Sequence, residues 1–161
     1  MIKSATELMK MLKCIESDLE YIHSQDRNET SIKCDIDGEP IYESDYNFAF
    51  NREEAKQLYE SESKIKLILA KFNVETKIIG YDMTIIEGLV RIAQLRNEIR
   101  VLTPMAAKTK YTTNYSGDYG NLYKVVYDVR EVKETLKKMQ QELSRLQVAI
   151  DKTNLNSKIE F

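Results

Sequence analysis

The sequence predicts a mainly α protein: long antiparallel helices forming a coiled-coil-like bundle, with a small β-hairpin or sheet element. Three observations carry that expectation. Four segments place apolar residues in alternating steps of three and four, which keeps one stripe facing a partner. Each segment opens on Ser, Asn, Thr or Asp with Glu three residues on, the capping-box spacing. Between them, short stretches alternate with a period of two and carry turn residues.

The first helix is expected over about 4–27, opening at Ser4 with Glu7 and burying Leu8, Leu12, Ile15, Leu19 and Ile22. The second, about 51–76, opens at Asn51 with Glu54. Its inner face reads Leu58, Ile65, Leu69 and Phe72, while Glu53, Glu54, Lys56, Glu60, Glu62 and Lys66 stay wet. The third, about 84–102, opens at Thr84 with Glu87 and runs through Ile85, Leu89, Ile92, Ile99 and Leu102 until Pro104 stops it. Gly88 lowers its propensity by about 1 kcal/mol relative to alanine, which a close helix–helix approach would rationalise. The fourth, about 128–153, opens at Asp128 with Glu131. Its heptad of Val129, Val132, Leu136, Met139, Leu143, Leu146 and Ile150 is the cleanest in the chain.

That last stripe must be covered. At roughly 1.5–3 kcal/mol per large apolar side chain, leaving it wet forfeits on the order of 10 kcal/mol. A domain's whole net stability is only about 5–15 kcal/mol.

Two stretches break the helical rule. Residues 31–42 alternate as Ile32, Cys34 and Ile36, turn at Asp37-Gly38 and resume at Pro40-Ile41-Tyr42, a β-hairpin pattern. Residues 103–127 start as an irregular loop and end in a strand over 122–127. A lone strand leaves its backbone groups unpaired, so its expected partner is the 31–42 hairpin or the same element of another subunit. With no repeat, low-complexity tract or long linker, the 161 residues suit a single domain, 1–161, that buries roughly 70% of its unfolded surface.

Composition removes several function classes. Twenty-four basic and 26 acidic residues give a net charge of −2, without the basic excess that duplex nucleic acid demands. No apolar run approaches the roughly 20 residues of a membrane span. Met1-Ile2-Lys3-Ser4 leads straight into a charged amphipathic helix, so no secretory signal is visible and the expected location is cytoplasmic. Cys14 and Cys34 lack a C-x-x-C or second ligand pair, and read as reduced thiols and small half-buried hydrophobes.

Catalytic motifs are missing as well. His23 is the only histidine, which excludes a His-based triad or a multi-histidine metal site. No Glu-x-x-His pair supports a di-iron bundle, and the Gly-containing loops match neither a phosphate loop nor a dinucleotide fingerprint. The expectation is a protein that is not an enzyme and carries no cofactor or metal.

The stretch 106–123 is the unusual one. It holds Lys108 and Lys110, a run of hydroxyl and amide groups, and the tyrosines Tyr111, Tyr115, Tyr119 and Tyr123. Ammonium and hydroxyl groups suit phosphate oxygens, and tyrosine faces stack on bases. Arg91, Arg96 and Arg100 on the preceding helix could add bidentate contacts. Arg96 stands where the stripe would otherwise want an apolar residue, so it needs a carboxylate, a ligand or a route to water. The candidate ligand-binding set is therefore Arg96, Arg100, Lys108, Lys110, Tyr111, Thr112, Thr113, Tyr115 and Asn121. The same residues also suit an ordinary polar loop, with Arg96 paired to a glutamate across the bundle.

Several stretches carry a family likeness. They are Ala5-Thr6-Glu7-Leu8, Asp37-Gly38-Glu39-Pro40 and Ala70-Lys71-Phe72-Asn73. The run from Leu89 to Asn97 (LVRIAQLRN) and the closing run from Leu146 to Asn154 (LQVAIDKTN) complete the set. In these the chain resembles the septicolysin-like family of small bacterial proteins, whose biochemical role is not established. It departs from the family pattern after Asn73, at Asn97 and in the Tyr-rich loop. The resemblance implies long antiparallel helices with a small β element, and an oligomer. The family name suggests a cytolysin, to which this sequence lends no membrane-inserting amphipathic hairpin.

The leading expectation is a non-catalytic homo-oligomeric binding protein that holds a small anionic, nucleotide-like ligand between the third helix and the 106–123 loop. That suits a sponge-type role in a bacterium or phage. The alternative is a helical protein–protein interaction module with no small-molecule ligand. A third reading is an enzyme using Tyr, Lys and Asp groups without a recognised motif.

Overall fold

The computed structural model describes residues 1–114 and 121–161, with backbone alone for 112–114 and 121–122. The fold is mainly α with a small β element. In chain order the elements are β1 (Ile2–Lys3), α1 (Ala5–Asn28), α2 (Phe48–Glu75), α3 (Ile85–Ala106), β2 (Tyr111–Asn114), β3 (Asn121–Lys124), α4 (Val129–Asn156) and β4 (Ile159–Glu160). They belong to two compact units, one of Met1–Phe72 with Asn154–Phe161, the other of Asn73–Thr153.

In the first unit, α1 and α2 zip their stripes together. Leu8, Ile15, Leu19 and Ile22 share one buried cluster with Ala55, Ile65 and Leu69, flanked by Leu12, Leu58 and Phe72. Gln25, near the end of α1, accepts from Asn51, near the start of α2, so the two helices run antiparallel. Ser4 caps α1 as the spacing predicts. Its hydroxyl accepts from the Glu7 N–H at 3.2 Å, and the Glu7 carboxylate accepts from the Ser4 N–H at 2.7 Å. Strands β1 and β4 pair antiparallel, Ile2 with Glu160 and Lys3 with Ile159.

The second unit repeats the scheme with α3 and α4. Arg91 meets Glu142, and the Tyr127 hydroxyl donates to the Met105 carbonyl at 3.0 Å, so this pair is antiparallel too. Its core collects Ile78, Ile85, Ile92 and Leu95 with Leu146 and Ile150. Thr84 and Glu87 form the second complete capping box. The turn before it places Gly80 at φ +83°, a left-handed conformation that favours glycine.

Four sequence expectations change in detail. Helix α2 starts three residues earlier than Asn51, because Asn47 supplies the cap: its side chain accepts from the Phe50 N–H at 3.1 Å. Asn51 is instead buried inside the helix. Helix α3 runs through Pro104 to Ala106, since a proline in the last turn deletes one ladder bond at an exposed end. The inner stripe of α3 is Ile85, Gly88, Ile92, Leu95 and Ile99, so Leu89 turns outward. The strand expected over 122–127 is instead β3, Asn121–Lys124, and pairs with β2, drawn from the segment expected to be irregular, in the register Tyr111–Lys124 to Asn114–Asn121.

The 31–42 stretch forms its turn but not its strands. Cys34 and Pro40 make a single bridge around Gly38 at φ +87°, with the Asp35 carboxylate accepting from the N–H groups of Asp37 and Glu39. Two short strands without a packed face are marginal on their own. Both cysteines are exposed rather than half-buried.

Candidate functional site

Helical phase decides which side chains of α3 and α4 are available. At about 100° per residue, the buried stripe of α3 leaves Leu89, Ala93 and Arg96 together on one flank and Arg91 on the other. On α4, the stripe through Leu146 and Ile150 leaves Gln147 and Asp151 on a flank, with Ser144 and Val148 further round toward solvent. These residues, with Ile92 and Ile150 as floor, line a groove of about 510 Å³.

The groove has an apolar bed and mixed rims. Leu89 is 41% exposed and Val148 49%, which is high for aliphatic side chains that line a depression. Arg96 stands on the α3 rim and Asp151 on the α4 rim, and neither makes an ion pair among the described residues. Arg91, on the opposite flank, is engaged: its Nε donates to Glu142 at 2.7 Å, and that contact raises its pKa. The arginine that pairs with a glutamate across the helices is thus Arg91.

Among the described residues, Arg100, Lys108, Lys110 and Tyr111 are not part of the lining of this groove. Arg100 is exposed one turn beyond Arg96. Lys108, Lys110 and Tyr111 are exposed beyond the end of α3, and the Lys110 ammonium lies 5.8 Å from the Tyr111 ring centroid. Arg96 sits about 15 Å of helix before Ala106, at 1.5 Å per residue, so the chain leaves α3 well away from the groove. Of the remaining members, Thr112, Thr113 and Asn121 have side chains outside the described residues, and Tyr115 lies outside them entirely.

Sequence reasoning found Arg96 but missed Leu89, Ser144, Gln147, Val148 and Asp151 as its neighbours. One signal was present: Val148 is an apolar residue out of phase with the α4 heptad. The other was Gly88, whose place in the stripe rotates Leu89 outward and turns Leu95 inward in place of Arg96.

Among the described residues, no group of three or more His, Cys, Asp or Glu is placed to hold a metal ion. No described helix is long and apolar enough to cross a membrane.

No protein-family model and no curated protein matches the chain. Its fold is similar to that of a functionally unknown conserved protein from Corynebacterium diphtheriae, with a TM-score of 0.76 at 15% identity, covering 99% of this chain and 100% of that one. At that identity the likeness shows a common fold of long antiparallel helices with small β elements.

Proposed function

We propose that this chain is a non-catalytic helical docking protein that works by presenting the α3–α4 groove to another protein surface. The observation that carries this reading is the groove itself: an open apolar bed that leaves Leu89 and Val148 exposed, lined also by Arg96 and Asp151, which make no ion pair among the described residues. Exposed apolar surface rimmed by polar groups is the ordinary mark of a protein contact.

The test is photo-crosslinking in cells with benzoylphenylalanine at position 148. A covalent adduct to a protein is expected there, and none from the same probe at Arg145, which is exposed but outside the groove. Equal labelling at both positions, or at neither, removes the docking reading.

A second reading keeps the small anionic ligand. Lys108 and Lys110 lie exposed just before the hydroxyl-rich strand β2, which opens on the exposed Tyr111, and cations next to an aromatic face suit a phosphorylated, base-bearing molecule. Thermal shift against a nucleotide panel decides it, because a ligand at a hundredfold excess over its Kd stabilises by about 2.7 kcal/mol. No shift with any phosphorylated compound ends that reading and leaves docking alone. We also propose kinship with the septicolysin-like proteins, on the stretches that carry the resemblance; it adds no activity to either reading.

A further inference from the structure

We infer that the occupant of the α3–α4 groove is a second copy of this chain, in an isologous dimer where Arg96 of each copy meets the partner subunit's Asp151. This inference rests on the docking reading and names its partner.

An isologous contact uses the same patch twice, so the patch must be complementary to itself. A face bearing one sign of charge fails that condition, and a purely basic one suits nucleic acid or an anionic surface instead. This groove meets it. Among its described lining residues the one cation, Arg96, stands on α3, and the one anion, Asp151, stands on α4. A two-fold axis lying in the interface, oblique to the helices, sets each over the other's counterpart and yields two reciprocal ion pairs. Between them the apolar bed supplies Leu89, Ala93 and Val148, with Ser144 and Gln147 as neutral hydrogen-bonding groups.

The rest of the chain allows the pairing. A formal net charge of −2 per copy gives little long-range repulsion between two chains. Among the described residues Arg96 makes no ion pair, unlike Arg91, so engaging the partner breaks no ion pair seen there. Closing the groove would also remove Leu89 and Val148 from water.

Charge reversal tests this on the full-length chain. Arg96→Glu alone places two acids at each contact, and Asp151→Lys alone places two bases there. Each variant is expected to dissociate at least about tenfold more readily than wild type, since like charges brought together across an interface cost several kcal/mol. Mixing the two variants restores opposite charge at both contacts. The expected product is a heterodimer, seen by native mass spectrometry with one chain mass-tagged, of affinity within about threefold of wild type.

Both positions are exposed, so circular dichroism should show unchanged folding; Val148→Glu, also exposed, gives an independent loss of dimer if either reversal disturbs the helix. A wild-type chain that stays monomeric at 100 μM by analytical ultracentrifugation overturns the inference. So do reversed variants that keep the wild-type mass, or that dissociate yet fail to pair on mixing. A monomer that still crosslinks a different protein through position 148 sinks the homodimer and leaves the docking reading standing.

Discussion

Gly88 lies directly against Ile78: a Cβ placed on the glycine would come within 2.4 Å of the isoleucine Cδ1 and 3.2 Å of Ile150 Cδ1. The absent side chain lets α4 and the turn before α3 close over the helix, which is why a poor helix former occupies the middle of an inner stripe. Alanine at 88 gains about 1 kcal/mol of helix propensity. It also overpacks a buried contact, at a typical cost of about 1–3 kcal/mol. Gly88→Ala is therefore expected to be net destabilising in urea unfolding. Ile78→Val removes the clashing methyl, so the double variant should be more stable than the sum of the singles by at least about 0.5 kcal/mol. Simple additivity removes the close-approach explanation.

Leu146 and Val148 separate core from docking surface on one helix. Leu146 is 1% exposed and Val148 49%. Leu146→Ala is expected to cost about 2–5 kcal/mol of stability. Val148→Ala should stay within about 0.5 kcal/mol in monomer stability while weakening self-association. Equal stability losses at the two positions would place Val148 in the core and end its role as a contact.

Thr153 is buried and doubly engaged. Its hydroxyl accepts from the Ile79 N–H at 3.0 Å and donates to the Ala149 carbonyl at 2.8 Å. Valine has nearly the same shape but leaves the Ile79 N–H without its acceptor, so Thr153→Val should cost about 1–3 kcal/mol. Thr153→Ser keeps both bonds and should cost less. Thermal denaturation of the two variants side by side measures the difference.

The two capping boxes set a pH dependence. The Glu7 carboxyl is held below its ordinary value of 4.5, first by the backbone N–H of Ser4 and then by the Ser4 hydroxyl; Thr84 does the same for Glu87. A carboxylate whose pKa is lowered on folding contributes stability above its unfolded value, and that contribution fades as pH falls through the folded value. Stability should therefore decline below about pH 4.5, near the ordinary glutamate range. The double variant Glu7→Gln, Glu87→Gln should lose stability at pH 7 and show a flatter profile between pH 5 and pH 3. A profile parallel to wild type would mean other carboxylates govern acid unfolding.

Legibility in the sequence followed the range of the forces involved. Ser4–Glu7 and Thr84–Glu87 were readable because a capping box closes within four residues. Asn51–Glu54 has the same spacing and failed, because Asn47 competes for the cap and Gln25 offers Asn51 a partner from another helix. The apolar pattern of α3 departs from its packed phase by one position at Leu89 and Arg96 for a related reason. A pattern that scores only large apolar residues skips Gly88 and selects Leu89, whereas packing against Ile78 and Ile150 selects Gly88. That single step carried Arg96 from a supposed seam position to an exposed rim.

The sequence by itself determined four amphipathic helices, their stripes on α1, α2 and α4, two of their caps and the absence of familiar catalytic motifs. These follow from residue spacing and from hydrogen bonds that close within one turn. Only the tertiary structure decided that β3 pairs with β2, that Arg91 rather than Arg96 takes the Glu142 carboxylate, and that Leu89, Val148 and Asp151 share a groove with Arg96. Those facts join residues up to about sixty positions apart, and helix phase and close approach fix them rather than any local preference.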